Sequence, residues 1–159
     1  MTQATASVET EKQTHLQSSK EFLTILIAGQ LFGIPILQVQ DVLGEQEVTK
    51  VPLAPPAVLG SLNLRGRVVT AINVRNCLGL PPQEERHKEM SVVVEHETEL
   101  YSLIIDEVGD VMSLKNKDFE SAPATLDPVW KNISLGIYKL EGRILVILDV
   151  PGLLDSVHS

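Results

Sequence analysis

Three carboxylates close together are the residues whose type and spacing most suggest chemistry in this sequence. Asp106, Glu107 and Asp110 lie within five consecutive positions, and carboxylates grouped in this way could hold a divalent cation or serve as general acid and base. Neither the glycine pattern of a cation-binding loop nor a further run of oxygen ligands accompanies them. A solvated strand end is therefore the favoured interpretation, and a small metal-dependent enzyme is the alternative.

The histidines and the single cysteine lack the spacing of a metal site or a nucleophile. His15, His87, His96 and His158 lie in tails or predicted loops, without the i, i+4 spacing that places two ligands on one helix face. Cys77 has no histidine near it in sequence and sits in a predicted apolar turn, where a cysteine is typically a small buried hydrophobe. These residues favour a protein without enzyme activity, metal or cofactor.

The composition excludes several classes of partner. With 21 acidic and 13 basic residues, the formal charge of -8 opposes binding to nucleic acid, whose phosphates require clustered lysine and arginine. No apolar run approaches the roughly 20 residues of a membrane span, and a lone cysteine without a secretory signal indicates a reducing compartment. We therefore expect a cytoplasmic protein with no nucleic-acid partner and no direct membrane insertion.

Strands must position these residues, because β-branched and aliphatic residues occur in short runs between turn residues. Residues 1–20 are polar with scattered apolar positions, which predicts a disordered N-terminal tail before a single domain at residues 21–159. The predicted strands cover residues 22–28, 31–34, 48–51, 68–72, 90–95, 100–105, 108–114, 134–140 and 143–148.

Helices are expected only as short turns. Residues 36–42 carry apolar residues at both helical and strand spacing, which predicts a helical turn running into a strand. Pro55 and Pro56 favour a short helix, and Asn73 and Asp149 are suitable N-caps for two further turns. The chain is thus predicted to be all-β with short helical turns.

An internal repeat relates the two halves of the chain. Residues 64–69 match residues 140–145 at an offset of 76, and earlier blocks match at offsets of 69 to 71. Each copy has about five short strands and is below the size of a comfortably stable unit, so we expect two small barrels packed around a shared aliphatic core. The lobes would be roughly residues 21–86 and 87–159, with strands exchanging between them.

The corner of one β-hairpin is where the two copies differ. Arg65-Gly66 in the first copy corresponds to Glu141-Gly142 in the second, so the turn requires glycine but not arginine. Whether Arg65 is a binding residue or an ordinary solvated turn residue is the main question that the residues leave open.

The block of residues 60–80 reads Gly-x-x-Asn-Leu-Arg-Gly-x-Val-Val and ends in Val-Arg-x-x-Leu-Gly-Leu. It resembles the CheW family of bacterial chemotaxis coupling proteins, and residues 22–42 and 103–114 support the resemblance. The family implies two intertwined SH3-like five-stranded β-barrels. It also implies a non-catalytic adaptor that couples chemoreceptor tips to the histidine kinase CheA.

The resemblance also assigns partners and surfaces. In the family, the cytoplasmic tip of a methyl-accepting chemoreceptor lies in the groove between the barrels, and the regulatory domain of the kinase contacts the exposed barrel ends. A chain of this kind is expected to be monomeric when free. The implied receptor-binding residues are Val39, Arg65, Val108 and Val111, and the implied kinase-binding residues are Leu43, Glu45, Glu120 and Thr125.

Some positions depart from the family pattern. Thr70 and Asn73 stand where the family usually has proline and aspartate, and residues after Leu114 follow the pattern loosely. Asparagine caps a helix about as well as aspartate does. A coupling subunit for another sensory kinase, one that controls pili or surface behaviour, is the alternative within the same architecture.

Overall fold

The computed structural model describes residues 18–81 and 89–157. Three of the four histidines and most of the predicted N-terminal tail lie outside these ranges. The strands are β1 (Ser19–Ile27), β2 (Gln30–Pro35), β3 (Val39–Leu43), β4 (Val58–Leu64), β5 (Arg67–Asn73), β6 (Met90–His96), β7 (Glu99–Ile105), β8 (Glu107–Lys115), β9 (Phe119–Glu120), β10 (Ser134–Leu140) and β11 (Arg143–Leu148). The helices are α1 (Val74–Cys77), α2 (Pro128–Asn132) and α3 (Val150–Val157), with 3₁₀ turns at Ile36–Gln38 and Asn116–Asp118.

The strands build two sheets, which confirms the prediction of a mostly β fold. The six-stranded sheet has the order β8-β1-β2-β11-β10-β9, and the five-stranded sheet has the order β3-β6-β7-β5-β4. Neighbouring strands are antiparallel, except that β11 runs parallel to β2 and β5 runs parallel to β7. Neither sheet closes into a barrel in the described part of the chain, so the expected SH3-like five-stranded barrels are not confirmed.

Each sheet combines strands from both copies of the repeat. Hairpin β6-β7 of the second copy lies between β3 and β5 of the first, and hairpin β1-β2 of the first copy lies between β8 and β11 of the second. Thr70 pairs with Tyr101, and Val146 pairs with Phe32. These pairs are equivalent, because Val146 is 76 residues after Thr70 and Tyr101 is 69 residues after Phe32. The copies therefore exchange their first hairpins. The division into lobes at residues 86 and 87 stays a prediction.

At one end of each sheet, a short segment of backbone lies very close to a strand, and this contact occurs in both copies of the repeat. Strand β9 pairs with β10, and at the equivalent place in the first copy Thr49 forms an isolated bridge to β4. Beside these pairings, Gly136 and Gly60 have φ angles of +157° and +150°, and a Cβ on either would overlap with the adjoining segment. Only glycine allows the two backbones to approach so closely.

Three apolar clusters fill the part of the fold that the structure describes. The largest contains buried residues of both sheets, such as Phe32 and Leu103. A second cluster surrounds Val69 and Val93 in the five-stranded sheet, and a third surrounds Tyr138 in the six-stranded sheet. The sheets thus share one core, and each sheet also carries a cluster of its own.

Predictions from local signals are mostly confirmed. The 3₁₀ turn at Ile36–Gln38 runs directly into β3, as the mixed periodicity of this segment indicates. The side chain of Asn73 accepts a hydrogen bond from the backbone N–H of Asn76, and Asp149 Oδ1 accepts one from the N–H of Gly152 at 3.1 Å. Both predicted N-caps are therefore present.

Two predictions around the prolines are wrong. The segment 48–51 does not form a strand, since Thr49 makes only an isolated bridge. The predicted helix from Pro55 is absent, because β4 begins at Val58 and pairs along its length with β5. Pairing with a neighbouring strand outweighs the weak helical preference of a few residues after a proline.

Candidate partner-binding surface

Val39 and Val108 occupy equivalent places on outer strands of the two sheets. Val39 in β3 pairs with Val94, and Val108 in β8 pairs with Ile25. These pairs are equivalent, because Val108 is 69 residues after Val39 and Val94 is 69 residues after Ile25. Both valines are half-buried and pack against the shared core. The structure therefore brings these two predicted receptor-binding residues to the rim of one apolar core.

Val111 lies on the same strand as Val108 but is more open to solvent. Its backbone is in register with Leu23 of β1, and its side chain is 48% exposed. Strand β8 is at the edge of its sheet, where apolar side chains are accessible to a partner. Val111 thus extends the apolar rim outward along β8.

Arg65 occupies a left-handed position in the β4–β5 turn. Its φ is +51°, which costs a non-glycine residue about 1–2 kcal/mol. The next residue, Gly66, donates its N–H to Asn63 Oδ1 at 2.9 Å, and Arg65 Nη2 donates to Asp41 Oδ2 at 3.2 Å. Because β3 and β4 are opposite edges of the sheet, this ion pair shows that the sheet curls until its edges approach.

The guanidinium of Arg65 is available to a partner. Its side chain is 81% exposed, whereas that of Asp41 is 28% exposed. Exposed ion pairs typically contribute about 0–1 kcal/mol, so a carboxylate of a partner could replace Asp41 at little cost. Arg65 thus lies against β3, the strand that carries Val39, whereas Val108 and Val111 lie on the other sheet.

The predicted kinase-binding residues lie on different sheets. Leu43 ends β3 and packs against the cluster of the five-stranded sheet, and Glu45 follows in an exposed segment. Glu120 ends β9 of the six-stranded sheet, with its carboxylate 3.6 Å from the Lys139 ammonium, and Thr125 is exposed before α2. These residues form two separate candidate contact areas.

Asp106 is held in a structural ion pair. Arg75 Nε donates to Asp106 Oδ1 at 2.9 Å and Arg75 Nη2 donates to Oδ2 at 2.6 Å, while the Ala28 N–H donates to Oδ2 at 2.8 Å. Burial alone would raise the pKa of Asp106, but the hydrogen bonds from Arg75 and Ala28 outweigh it and lower that pKa. Asp106 is thus an ionised acceptor that ties α1 and the β1–β2 turn to the end of β7.

The other two predicted carboxylates do not join Asp106 in a metal site. Glu107 and Asp110 are exposed on β8. Among the described residues, the group that could hold a metal ion is instead His96, Glu97 and Asp155. Sequence spacing could not reveal this group, because Asp155 is 59 positions from His96.

Comparison with known proteins decides the family. A family model described as the CheW-like domain matches residues 21–158. The chain belongs to the CheW-like domain family. Chemotaxis protein CheW of Helicobacter pylori is 30% identical over 145 residues, covering 91% of this chain and 87% of the relative. Chemotaxis protein CheW of Bacillus subtilis is 29% identical over 147 residues, covering 91% of this chain and 92% of the relative.

The CheW fold is also found in a solved structure. The scaffolding protein TtCheW from Thermoanaerobacter tengcongensis matches with a TM-score of 0.77 at 25% identity, covering 85% of this chain and 92% of that chain. Protein PilI of Pseudomonas aeruginosa is 28% identical over 120 residues, covering 76% of this chain and 67% of the relative. The family resemblance inferred from residues 60–80 is therefore confirmed.

The side-chain pairs between distant elements of this CheW-like domain were not predicted. Arg75 belongs to the Val-Arg-x-x-Leu-Gly-Leu signature, but its partner Asp106 is 31 positions away and cannot be identified from spacing. The pair of His96 and Asp155 is more distant still. In the part of the chain that the structure describes, no helix is long and apolar enough to cross a membrane. The roles assigned to the receptor-binding and kinase-binding residues stay predictions.

Proposed function

We propose that the protein is a non-catalytic adaptor that couples the cytoplasmic tips of chemoreceptors to the histidine kinase CheA in chemotaxis. The observation that carries this proposal is the match to proteins named chemotaxis protein CheW along 91% of the chain. The structural neighbour, described as a scaffolding protein, supports the same role. Such a protein acts by holding two partners together, which raises their effective concentration.

The proposed receptor site combines an apolar rim with one cation. Val39 and Val108 border the shared core, and Val111 adds exposed apolar surface. The tip of a methyl-accepting chemoreceptor is a helical hairpin, and an amphipathic helix can lay its apolar stripe on such a rim. Arg65 would then meet a carboxylate of the receptor or the carbonyl oxygens at a helix end.

The proposed kinase contacts use the ends of the two sheets. Leu43 and Glu45 would serve at the five-stranded sheet, and Glu120 and Thr125 at the six-stranded sheet, each toward the regulatory domain of the kinase. We also propose that each sheet acts as an SH3-like lobe, because each carries its own apolar cluster. The protein would work in the cytoplasm and be monomeric when free.

A charge reversal at Arg65 tests the receptor site. Arg65→Glu should weaken binding to a receptor-tip fragment at least about tenfold, which corresponds to about 1.4 kcal/mol, while leaving Tm nearly unchanged. Arg67→Glu is the matched control, because Arg67 is exposed two residues further along the same hairpin. Affinity should be measured by calorimetric titration of the full chain. Equal losses in both variants would show a general charge effect, and no loss for Arg65→Glu would remove it from the site.

Cross-linking tests the kinase contacts. Single cysteines at Leu43 and Glu120, in a Cys77→Ala background, should cross-link to the isolated regulatory domain. Thr98→Cys is the control, because it lies in the β6–β7 turn, at the far end of β6 from the residue that pairs with Leu43. Yields no higher than those of the control at both positions would contradict this assignment.

The match to protein PilI keeps one alternative open, a coupling subunit for another sensory kinase. Co-purification of the tagged full chain from cells separates the two, because the captured kinase identifies the system. Recovery of CheA supports the chemotaxis proposal, and recovery of a different sensory kinase without CheA supports the alternative.

A further inference from the structure

An imidazole and two carboxylates converge where the β6–β7 turn meets the last described helix. His96 ends β6, Glu97 begins the turn and Asp155 lies on α3. Their ligand atoms all lie within 4.8 Å of one another, and His96 Nε2 is 3.1 Å from Asp155 Oδ1. We propose that these three side chains bind Zn²⁺ or a similar borderline divalent cation. This site is separate from the proposed partner-binding residues.

The distances suit a small cation with one adjustment. Ligand atoms of a tetrahedral zinc ion, at about 2.0–2.1 Å from the metal, lie about 3.3 Å from one another. The separation of 3.1 Å between His96 Nε2 and Asp155 Oδ1 is close to this value. The carboxylate of Glu97 lies within 4.8 Å of both of these atoms, and its exposed side chain can adjust to coordination distance. A water molecule would complete the coordination.

The ligands are held by different elements. The side chain of His96 is only 16% exposed, so neighbouring residues restrict its ring. Glu97 and Thr98 have φ angles of +50° and +68°, which define a tight two-residue turn and fix the direction in which Glu97 leaves the backbone. Asp155 is 69% exposed on α3 and can adjust. One restricted ligand with two adjustable ones is a workable arrangement for metal binding.

The local charge also favours a cation. The buried Tyr101 donates its hydroxyl hydrogen bond to Glu99 at 2.8 Å. Burial raises the pKa of Tyr101 to about 12, together with the hydrogen bond to Glu99 and the negative charges of Glu99, Glu97 and Asp155. The carboxylates of Glu97, Glu99 and Asp155 thus all lie near the hydroxyl of Tyr101 and make the local electrostatic potential negative.

The donor set selects the class of metal. Imidazole nitrogen with carboxylate oxygen suits Zn²⁺, Ni²⁺ or Co²⁺, whereas Mg²⁺ and Ca²⁺ prefer oxygen ligands alone. A bound ion would join the β6–β7 turn to α3 more firmly than the pair of His96 and Asp155 does. Since the hairpin comes from the middle of the chain and α3 from its end, the ion would brace two distant parts of the fold.

Titration of the metal-free full chain with ZnCl₂ tests the proposal. The background variant His15→Gln, His87→Gln, His158→Gln removes the other histidines and should still bind one equivalent of Zn²⁺. In this background His96→Gln and Asp155→Asn should each weaken binding at least about tenfold, whereas Glu107→Gln, an exposed carboxylate on β8, should not. Zn²⁺ should raise Tm in the background variant and Mg²⁺ should not, because a ligand that binds only the folded state stabilises it.

Two results would overturn the proposal. One is loss of zinc binding when the other three histidines are replaced, and the other is unchanged binding in His96→Gln. If His96→Gln unfolds, nuclear magnetic resonance of the background variant decides. Zn²⁺ should then shift the ring signals of His96 and the backbone signals of α3, and the absence of both shifts would reject the site.

Discussion

Replacing Asp106 by asparagine should show how strongly its ion pair with Arg75 holds the domain together. Hydrogen bonds of 2.9 and 2.6 Å join the two side chains, each of which is 15% exposed. Hydrogen bonds to charged groups contribute about 1.5–3 kcal/mol each, but the same two groups make both bonds, so their effects overlap. We expect Asp106→Asn to lower the free energy of unfolding by about 2–4 kcal/mol at neutral pH, because Arg75 loses its counter-ion.

The same ion pair makes stability depend on pH. The pKa of Asp106 is lower in the folded protein than its usual value. The pair therefore contributes fully above the ordinary carboxyl pKa of about 4, and this contribution is lost as the pH falls through the lower folded pKa. Asp106→Asn lacks the titrating group, so the difference in unfolding free energy between the two proteins should narrow below about pH 4.

Urea denaturation followed by circular dichroism measures both effects. The slope of the free energy with urea should stay the same while the midpoint falls, and Tm should decrease by roughly 5–15 °C. Asp110→Asn is the control, because this carboxylate is exposed and should change stability by less than about 0.5 kcal/mol. Two results would refute the assigned role. One is a loss of unfolding free energy below about 0.5 kcal/mol for Asp106→Asn, and the other is a difference in unfolding free energy from the wild type that stays the same at neutral and acid pH.

Substitutions at Asn73 and Gly136 test two structural features that recur in both copies of the repeat. Asn73→Ala should cost about 1 kcal/mol in urea denaturation, because the cap of α1 is lost, whereas Asn73→Asp should be nearly neutral; equal costs would contradict the capping role. Gly136→Ala should cost more than about 3 kcal/mol, because its Cβ would overlap with β9, while Gly142→Ala, with φ of +76° and open space around it, should cost only about 1 kcal/mol. Similar losses at the two glycines would show that backbone conformation, and not contact with β9, sets the cost.

The parts of the fold that the sequence predicts are those with a local cause. Alternation, turn residues and caps depend on neighbours in the chain, so most of the predicted strands and the caps at Asn73 and Asp149 are found, whereas β4 was not predicted and the segment 48–51 is not a strand. Sheet order depends on which distant strands meet. Exchange of strands between the copies is expected from the repeat, but no local signal identifies which hairpins exchange. The prediction of a helix from Pro55 is wrong for the same reason, because pairing of β4 with β5 determines the conformation of this segment.

In the candidate site, individual residues could be predicted from the sequence, but their contacts with distant residues could not. Val39 and Arg65 are predicted from the family resemblance, and the structure adds that Arg65 pairs with Asp41, which lies on β3 two residues after Val39. The pair of Arg75 and Asp106 was not predicted, because the two residues meet only after the hairpins have exchanged. Side-chain pairs between distant elements require the topology first, and the sequence pattern does not specify it.

The repeat gives the two outer strands equivalent residues, but the corresponding hairpin turns differ in charge. Val108 is the equivalent of Val39, and Asp110 is the equivalent of Asp41, both 69 residues later. The partner of Asp41 is Arg65, whereas the residue that corresponds to Arg65 in the second copy is Glu141. An attractive pair in the five-stranded sheet is thus replaced by two like charges in the six-stranded sheet.

This difference in charge distinguishes the two outer strands in the receptor site that we propose. In the five-stranded sheet the Arg65 turn is drawn to β3, which places a cation beside the apolar rim at Val39. In the six-stranded sheet, the corresponding residues Asp110 and Glu141 are both acidic and exposed, so neither offers a cation to an acidic partner. In the receptor site that we propose, a helical hairpin with one acidic end is expected to bind with that end toward Arg65. An apolar rim alone, repeated in both sheets, could not distinguish the two orientations.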